Sequence, residues 1–145
     1  MFGPGNLMGR PRRPFVYDEV RVGEELASYE YVLTEEQLQN FRDSIEVPTA
    51  LFPTIAIKSD STALNLKYDA GGRGINARQA FEFFNPPIPG KKIRVTGKVI
   101  NKYTKRDKPY LVIQATAVDE DGRLIERVTT YQMRRTEEVG KKWGK

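Results

Sequence analysis

The sequence predicts an α+β domain in which one long central helix is wrapped by a curved antiparallel sheet. One strand and two helical segments come first along the chain, and from residue 75 onwards the spacing and composition are those of strands. The length of 145 residues, 39% of them hydrophobic, suits a single domain with one core. We therefore expect one folded unit without internal repeats.

The two ends of the chain carry its positive charge. The net charge is +5, and residues 1–14 and 134–145 each contribute +3, which leaves −1 on residues 15–133. We predict a domain at 15–135, preceded by a basic arm that is disordered or bound to a partner and followed by a basic tail at 136–145. Modules that bind nucleic acid carry their positive charge on the folded body, so we do not expect a nucleic-acid partner.

Two residue types are missing from the sequence, and their absence narrows its chemistry. Without cysteine there are no disulfides, thiolate nucleophiles or zinc–thiolate sites, and without histidine the commonest general base and metal ligand is lost. No apolar run approaches the ~20 residues of a membrane span, and the first residues lack the apolar stretch of a secretory signal. We expect a cytoplasmic protein with no membrane contact, no metal and no redox cofactor.

The first helix has a clear start signal. Residues 28–33 alternate like a strand, and Thr34 with Gln37 then forms a capping box, in which each side chain bonds the other residue's backbone amide. One apolar stripe continues the helix at Leu38, Phe41 and Ile45.

The second helix is the predicted central helix and runs from about residue 54 to residue 68. Its apolar residues flank a polar middle at residues 58–62. A glycine-rich loop at residues 71–74 closes the segment.

Four strands are predicted after the helices, at residues 75–84, 93–103, 110–118 and 124–133. The proline-rich run at 85–90 stops the first of them, because no central strand accommodates it. Turns at 104–108 and 119–122, the latter ending in Asp-Gly, connect the others. Glu82 alternates with two phenylalanines, so it should face the opposite side of the sheet from them as an exposed or paired charge.

Several segments of the sequence resemble MaoC-like dehydratases. Tyr17–Glu25 is similar to the N-terminal segment of that family, and Phe81–Ile93 to its strand, proline-rich turn and glycine before the long strand. The runs Lys105–Val112 and Asp119–Leu124 are similar to its closing hairpins. Together the resemblance covers about residues 15–135 and implies a single hot-dog fold.

The resemblance also implies a protein that binds acyl thioesters of coenzyme A or of an acyl carrier protein. Active members of the family add water to a trans-2-enoyl thioester, or remove it from a 3-hydroxyacyl thioester. They use an Asp and a His from a Gly-Asp-x-Asn-Pro-x-His motif before the central helix. One group deprotonates water while the other protonates the α-carbon, and backbone N–H groups polarise the thioester carbonyl. The carrier is part of the substrate, so no separate cofactor is implied.

The sequence departs from that catalytic motif. Only residues 46–53 separate the two predicted helices, and none of them is histidine. Asn76 stands at the start of the next strand, where many relatives without the motif place histidine. No Asp–His pair can be assigned to this chain.

One explanation is that the chain resembles a half that lacks the catalytic pair. Larger MaoC-like dehydratases combine a hot dog that carries the pair with one that shapes the acyl tunnel. The chain would then form a hetero-oligomer with a catalytic MaoC-like subunit. Otherwise it should form a homodimer, because a lone hot dog leaves a sheet edge exposed.

A second explanation is a stand-alone thioesterase or hydratase that uses a different catalytic residue. Some other hot-dog families place a catalytic carboxylate on the central helix, and Asp60 is the candidate here, because burial would raise its pKa towards a useful range. Ser59, Ser61 and Tyr68 are neighbours that could orient it. The simpler alternative is that this polar run faces solvent or a partner.

The remaining candidates are polar side chains on the strands. Asn76 and Arg78 could line the thioester site, or they are ordinary polar residues at a strand edge. A set of basic residues could bind coenzyme A phosphates or simply cover the outer face of the sheet: Arg94, Lys98, Lys102, Lys105 and Arg106. A third possibility for function is a non-enzymatic module that binds or scaffolds another enzyme of an acyl-CoA pathway.

Overall fold

The computed structural model describes residues 12–45, 59–69 and 74–135. Its elements, in chain order, are β1 (Arg13–Pro14), a 3₁₀ turn (Tyr17–Glu19), β2 (Tyr29–Val32), α1 (Glu35–Ile45), α2 (Ser59–Lys67), β3 (Tyr68–Asp69), β4 (Ile75–Phe83), β5 (Lys92–Lys105), β6 (Lys108–Asp119) and β7 (Leu124–Met133). Five strands form one antiparallel sheet in the spatial order β2-β5-β6-β7-β4, and β1 pairs with β3 in parallel. The predicted α+β class is confirmed.

The start of α1 is the predicted capping box. The amide of Gln37 donates to Oγ1 of Thr34 at 3.1 Å, and the amide of Thr34 donates to Oε1 of Gln37 at 3.0 Å. These bonds satisfy an amide that the first helical turn would leave without a partner, and they fix the turn from β2 into the helix. Leu38 of α1 is then buried against Tyr29 and Ile93 in one cluster of the core.

Helix α2 lies across one face of the sheet, which we call the inner face; the opposite side is the outer face. It packs mainly on β5 and β6, and Ala63 and Leu64 are buried in that contact. A Cβ atom on Gly97 of β5 would lie 2.8 Å from the Cβ atom of Ala63, so this close approach requires glycine. Neither of the described helices has the length and apolar composition to cross a membrane.

The C-terminal end of the central helix differs by one residue from the prediction. The helix ends at Lys67, because Tyr68 begins β3 and pairs there with Arg13 of β1. Arg12 also donates from Nη1 to the carbonyl oxygen of Asn65 at 3.2 Å. Residues 12–14 therefore contact the end of the central helix and β3. The helical prediction for residues 54–58 lies outside the described residues, and the domain limits stay predictions.

A bulge in β5 places Lys102 on the inner face, so the outer-face alternative is wrong for this residue. The register between β5 and β6 shifts between Val99 and Asn101, and one extra residue moves the following side chains to the other face. Lys102 therefore points inward, where its Nζ donates to the carbonyl oxygen of Val20 at 2.8 Å and lies 4.3 Å from the ring centroid of Tyr17. Burial lowers the pKa of this lysine.

Candidate functional site

Strand β4 forms one edge of the five-stranded sheet. It pairs with β7 along its length, and within the described residues no strand lies on its other side. Phe81 and Phe83 point to the inner face, opposite Val128 and Glu126, and their rings stack with centroids 6.3 Å apart. They are 37% and 48% exposed, so both rings remain partly accessible to solvent.

The inner face of β7 is polar where the inner face of β6 is apolar. Gln79 of β4 donates from Nε2 to Oγ1 of the buried Thr130 at 3.0 Å. Oε1 of the buried Gln132 accepts from Nη1 of the buried Arg134 at 2.7 Å. The inner-face side chains of β4 and β7 together form what we call the edge site: Gln79, Phe81, Phe83, Glu126, Thr130 and Gln132.

Glu126 brings a carboxylate into the interior of the protein. Its side chain is 1% exposed, and its cross-strand neighbours are Ala117 on β6 and Phe83 on β4. Burial, and then the charge of Glu126, raise the pKa of Tyr31, which keeps that phenol protonated at neutral pH. The described residues contain no group of three or more Asp and Glu side chains that could hold a metal ion.

The chemistry of the edge site is that of a binding surface. Two half-exposed rings can contact an apolar chain, and the partly exposed amide of Gln79 can bond a carbonyl or hydroxyl group, whereas Thr130 and Gln132 are buried. None of these neutral groups exchanges a proton near pH 7, and the sequence has no histidine to do so.

The structure separates Asn76 from Arg78. A β-bulge lies between them, whereas in a regular strand residues two apart share a face. Asn76 pairs with Gln132 towards the inner face, while Arg78 lies on the outer face with its Cζ 5.1 Å from the ring centroid of Tyr131. Of the two, only Asn76 lies beside the edge site.

The residues predicted on the central helix lie at its two ends. Ser59 and Asp60 begin α2 as the structure describes it, and their side chains, like that of Ser61, lie outside the described part. Tyr68 follows eight residues later, about 12 Å along the helix axis. Its hydroxyl donates to the carboxylate of Glu24, and burial together with that contact raises the pKa of Tyr68. The catalytic role of Asp60 stays a prediction.

The polar residues on the inner face of β7 were not predicted from the sequence. The inner-face positions of the strand are two residues apart, and Val128 is the one apolar residue among them. The polar residues at these positions, the last just past the end of β7, are Glu126, Thr130, Gln132 and Arg134. The inner-face positions of β6 are apolar over the same part of the sheet. A polar alternation within a strand that should be covered by the helix is the signal that would have found them.

Solved structures with this arrangement of helix and sheet share the hot-dog fold. The MaoC-like dehydratase of Rhodospirillum rubrum matches with a TM-score of 0.65 at 17% identity, over 83% of this chain and 98% of that one. The R-hydratase PhaJ1 of Pseudomonas aeruginosa gives 0.62 at 19% identity, over 85% and 87%. The 3R-hydroxyacyl-ACP dehydratase complex HadBC of Mycobacterium tuberculosis gives 0.59 at 16% identity, over 76% and 94%.

The chain is therefore a hot-dog protein. No family model and no curated protein matches the sequence, so the likeness to solved structures is a likeness of fold. More particularly, the fold is the single hot dog of MaoC-like dehydratases, as the resemblance in the sequence implies.

Proposed function

We propose that this chain is the acyl-thioester-binding, non-catalytic subunit of an enoyl thioester hydratase or 3-hydroxyacyl thioester dehydratase. A second MaoC-like chain, which carries the Asp–His pair, completes the active site. The observation that carries this proposal is the combination of a MaoC-like hot-dog fold with a sequence that contains no histidine.

The division of labour follows from the chemistry of hydration. A proton leaves water and another reaches the α-carbon, and positioned acid–base groups serve both transfers. In the edge site, Glu126 is the one carboxylate, and it is 1% exposed. Gln79 can bond a carbonyl or hydroxyl oxygen but cannot transfer protons at neutral pH, and the fully buried Thr130 holds the Gln79 amide in place. These residues suit binding and orientation, and the partner supplies the groups that move protons.

Two of the solved structures support the reaction class and the assembly. The Pseudomonas protein is described as an R-hydratase, and the Mycobacterium structure as a 3R-hydroxyacyl-ACP dehydratase complex. We extend the reaction class to this chain, with the acyl group carried on coenzyme A or on a carrier protein. The stacked Phe81 and Phe83 are the apolar surface that an acyl chain would contact.

The test is a hydration assay that follows the loss of enoyl thioester absorbance. The isolated chain should run at the solvent background, and the complex recovered from its own source cells through a tag on this chain should turn over the thioester. Hydration by the isolated chain at ordinary enzymatic rates would refute the proposal. In that case, Asp60→Asn and Glu126→Gln would show which carboxylate does the work, and release of free thiol would identify a thioesterase.

A further inference from the structure

We infer that the outer face of the sheet binds single-stranded nucleic acid at the end formed by the hairpin between β5 and β6. Cations at this end meet the phosphates, and tyrosine rings beside them stack on the bases. The surface lies on the opposite side of the sheet from α2 and the edge site. The inference is therefore independent of the proposed function.

Three cations stand side by side at this end of the sheet. Lys105 is directly opposite Lys108 in the last residue pair of β5 and β6. The amide of Arg134 donates to the carbonyl oxygen of Pro109 at 2.8 Å. The next residue, Arg135, therefore stands beside Lys108. We call the exposed side chains of Lys105, Lys108 and Arg135 the basic row. None of them takes part in an ion pair with another described residue.

The outer-face side chains next to the basic row are aromatic. Tyr103 and Tyr110 pair across β5 and β6, and their rings stack with centroids 4.9 Å apart and planes 5° from parallel. Tyr131 lies one row further along, beneath the guanidinium of Arg78. All three rings are partly exposed. Cations beside accessible rings are typical of surfaces that bind single strands, because phosphates attract charge and every base has a face that can stack.

The hairpin carries these charges at a cost in stability. Arg106 and Asp107 form the turn with φ of 52° and 63°, a conformation for which Asn-Gly is preferred. Lys105 and Lys108 place like charges directly opposite each other, which destabilises an antiparallel pair. Residues that break local rules in this way indicate a role outside folding.

The fold brings positive charge from distant parts of the sequence to this end. The Cζ atom of Arg134 lies 4.2 Å from the ring centroid of Phe15, so the chain next to residue 15 and the chain next to residue 134 are neighbours. Residues 1–14 and 134–145 each contribute +3. The turn itself adds one carboxylate, that of Asp107. The net charge of −1 on residues 15–133 does not reveal this surface, because a sum takes no account of position.

The tyrosines distinguish nucleic acid from other polyanions. An element that enters a membrane surface carries large apolar side chains, whereas residues 104–108 read Thr-Lys-Arg-Asp-Lys. An acidic protein surface requires only the charges. Nucleic acid uses both the basic row and the ring faces, so we assign the surface to it.

The first measurement is the fluorescence anisotropy of a labelled single strand of about 12 nucleotides, titrated with the full chain. The strand is prepared once as RNA and once as DNA, and the tighter of the two identifies the source of the ligand. The logarithm of the binding constant should fall linearly with the logarithm of the salt concentration, by about 0.7 per phosphate contact. Absence of binding to both strands at low salt would overturn the inference.

The second measurement tests stacking. Tyr103→Leu removes a ring but keeps an apolar side chain, and it should weaken binding of the labelled strand by about tenfold. Phe84→Leu is the matched control, because Phe84 is also an exposed ring but lies at the other end of the sheet. Both variants should melt within a few degrees of the unmodified chain. If Tyr103→Leu binds as tightly as Phe84→Leu, the rings do not stack on bases and the inference fails.

The third measurement tests the position of the charges. Replacing Lys105 and Lys108 together by Gln should lower the salt slope by about 1.4, which corresponds to two phosphate contacts. The same change at Lys91 and Lys92 removes equal charge at the opposite end and should leave the slope unaltered. The first double variant should be no less stable than the unmodified chain, because it also removes the like-charge pair. Equal loss of slope in both would show that binding follows net charge alone, against the inference.

Cosedimentation with vesicles of phosphatidylserine and phosphatidylcholine tests the membrane alternative. The chain should stay in the supernatant at the salt concentration at which it binds the labelled strand, and preferential binding to the vesicles would overturn the inference. The hydration assay decides the proposed function separately, since a chain or complex can bind nucleic acid with or without turning over a thioester.

Discussion

The inner face of the sheet has two halves that differ in packing and in polarity. Beneath α2, β5 and β6 present buried apolar side chains such as Val99 and Ile113, and Gly97 lets the helix approach to contact distance. On β7 and β4 the same face carries the buried Glu126, with exposed rings beside it. Apolar burial is the main source of stability, so the covered half holds the domain together. The edge half, where two phenylalanine rings stay partly exposed, contributes less of that stabilisation.

The largest expected effect is a difference in stability loss between two substitutions, one in each half of the inner face. Ile113→Ala removes a fully buried side chain from under the helix and should lower the free energy of unfolding by about 2–5 kcal/mol. Phe83→Ala truncates a ring that is 48% exposed and should cost the isolated chain clearly less. Chemical denaturation of both variants measures the difference. Equal losses of unfolding free energy would contradict the division of the inner face into a covered half and an edge half.

The next prediction tests how closely α2 packs against β5. Gly97→Ala would bring a Cβ atom to 2.8 Å from Ala63, and relieving that overlap should cost about 1–3 kcal/mol. Thr96→Ala, on the exposed side of the same strand, is the matched control and should change stability by less than about 0.5 kcal/mol. If Gly97→Ala melts like the control, the helix is not in contact with β5.

Local signals explain why much of the fold could be predicted from the sequence. The strand pattern of β4 stops at a proline-rich run, and that of β7 starts after an Asp-Gly turn, so both strands could be located in the sequence. The start of α1 could be predicted from a hydroxyl residue with Gln three positions later. The faces of Arg78 and Lys102 could not be predicted, because each follows a β-bulge. A bulge depends on the register with a partner strand, which is distant in sequence for β4.

The edge site was harder to predict than the fold for a related reason. Polar residues that alternate in a strand usually face solvent, and only the position of the helix shows that Glu126 and Thr130 are buried. Conversely, Asn76 and Arg78, which one interpretation of the sequence placed together at the thioester site, lie on opposite faces. Side-chain chemistry can be read from the sequence, but the faces that bring side chains together depend on long-range pairing.

A third prediction concerns the contacts that hold α2 over the covered half. Burial alone would raise the pKa of Glu24, but hydrogen bonds from Lys67 and Tyr68 outweigh it and hold that pKa below its usual value of 4.5. The carboxylate therefore contributes stability above pH 4.5, and the contribution is lost as the pH falls through the lowered pKa.

Glu24→Gln should consequently be less stable than the unmodified chain at pH 7, by about 0.5–1 kcal/mol, with the difference shrinking below pH 4.5. Thermal unfolding across pH 3–7 follows the difference. Glu19→Gln, an exposed change in the same N-terminal segment, serves as the control. If the stability difference between Glu24→Gln and the unmodified chain stays constant down to pH 3, the carboxylate is not held by these contacts.

The smallest expected effect is a gain in stability from a substitution at the tip of the hairpin between β5 and β6. Arg106 and Asp107 both have left-handed backbone conformations, with φ of 52° and 63°. Asp107→Gly should stabilise the chain by about 0.5 kcal/mol, because glycine adopts this conformation without steric cost. Lys108→Gly, just inside β6, should instead destabilise it. Denaturant midpoints of the two variants should move in opposite directions.

The order of strands in the sheet also governs how the chain folds as it is synthesised. β2 pairs with β5 and β4 pairs with β7, so neither early strand pairs with the strand that follows it in the chain. During synthesis, β4 and its two phenylalanines stay unpaired until β7 has emerged from the ribosome. Pairings between distant segments also form slowly. The nascent chain thus exposes β4 while the 50 residues from Phe83 to Met133 are added. We expect its yield in a foreign host to depend on chaperones.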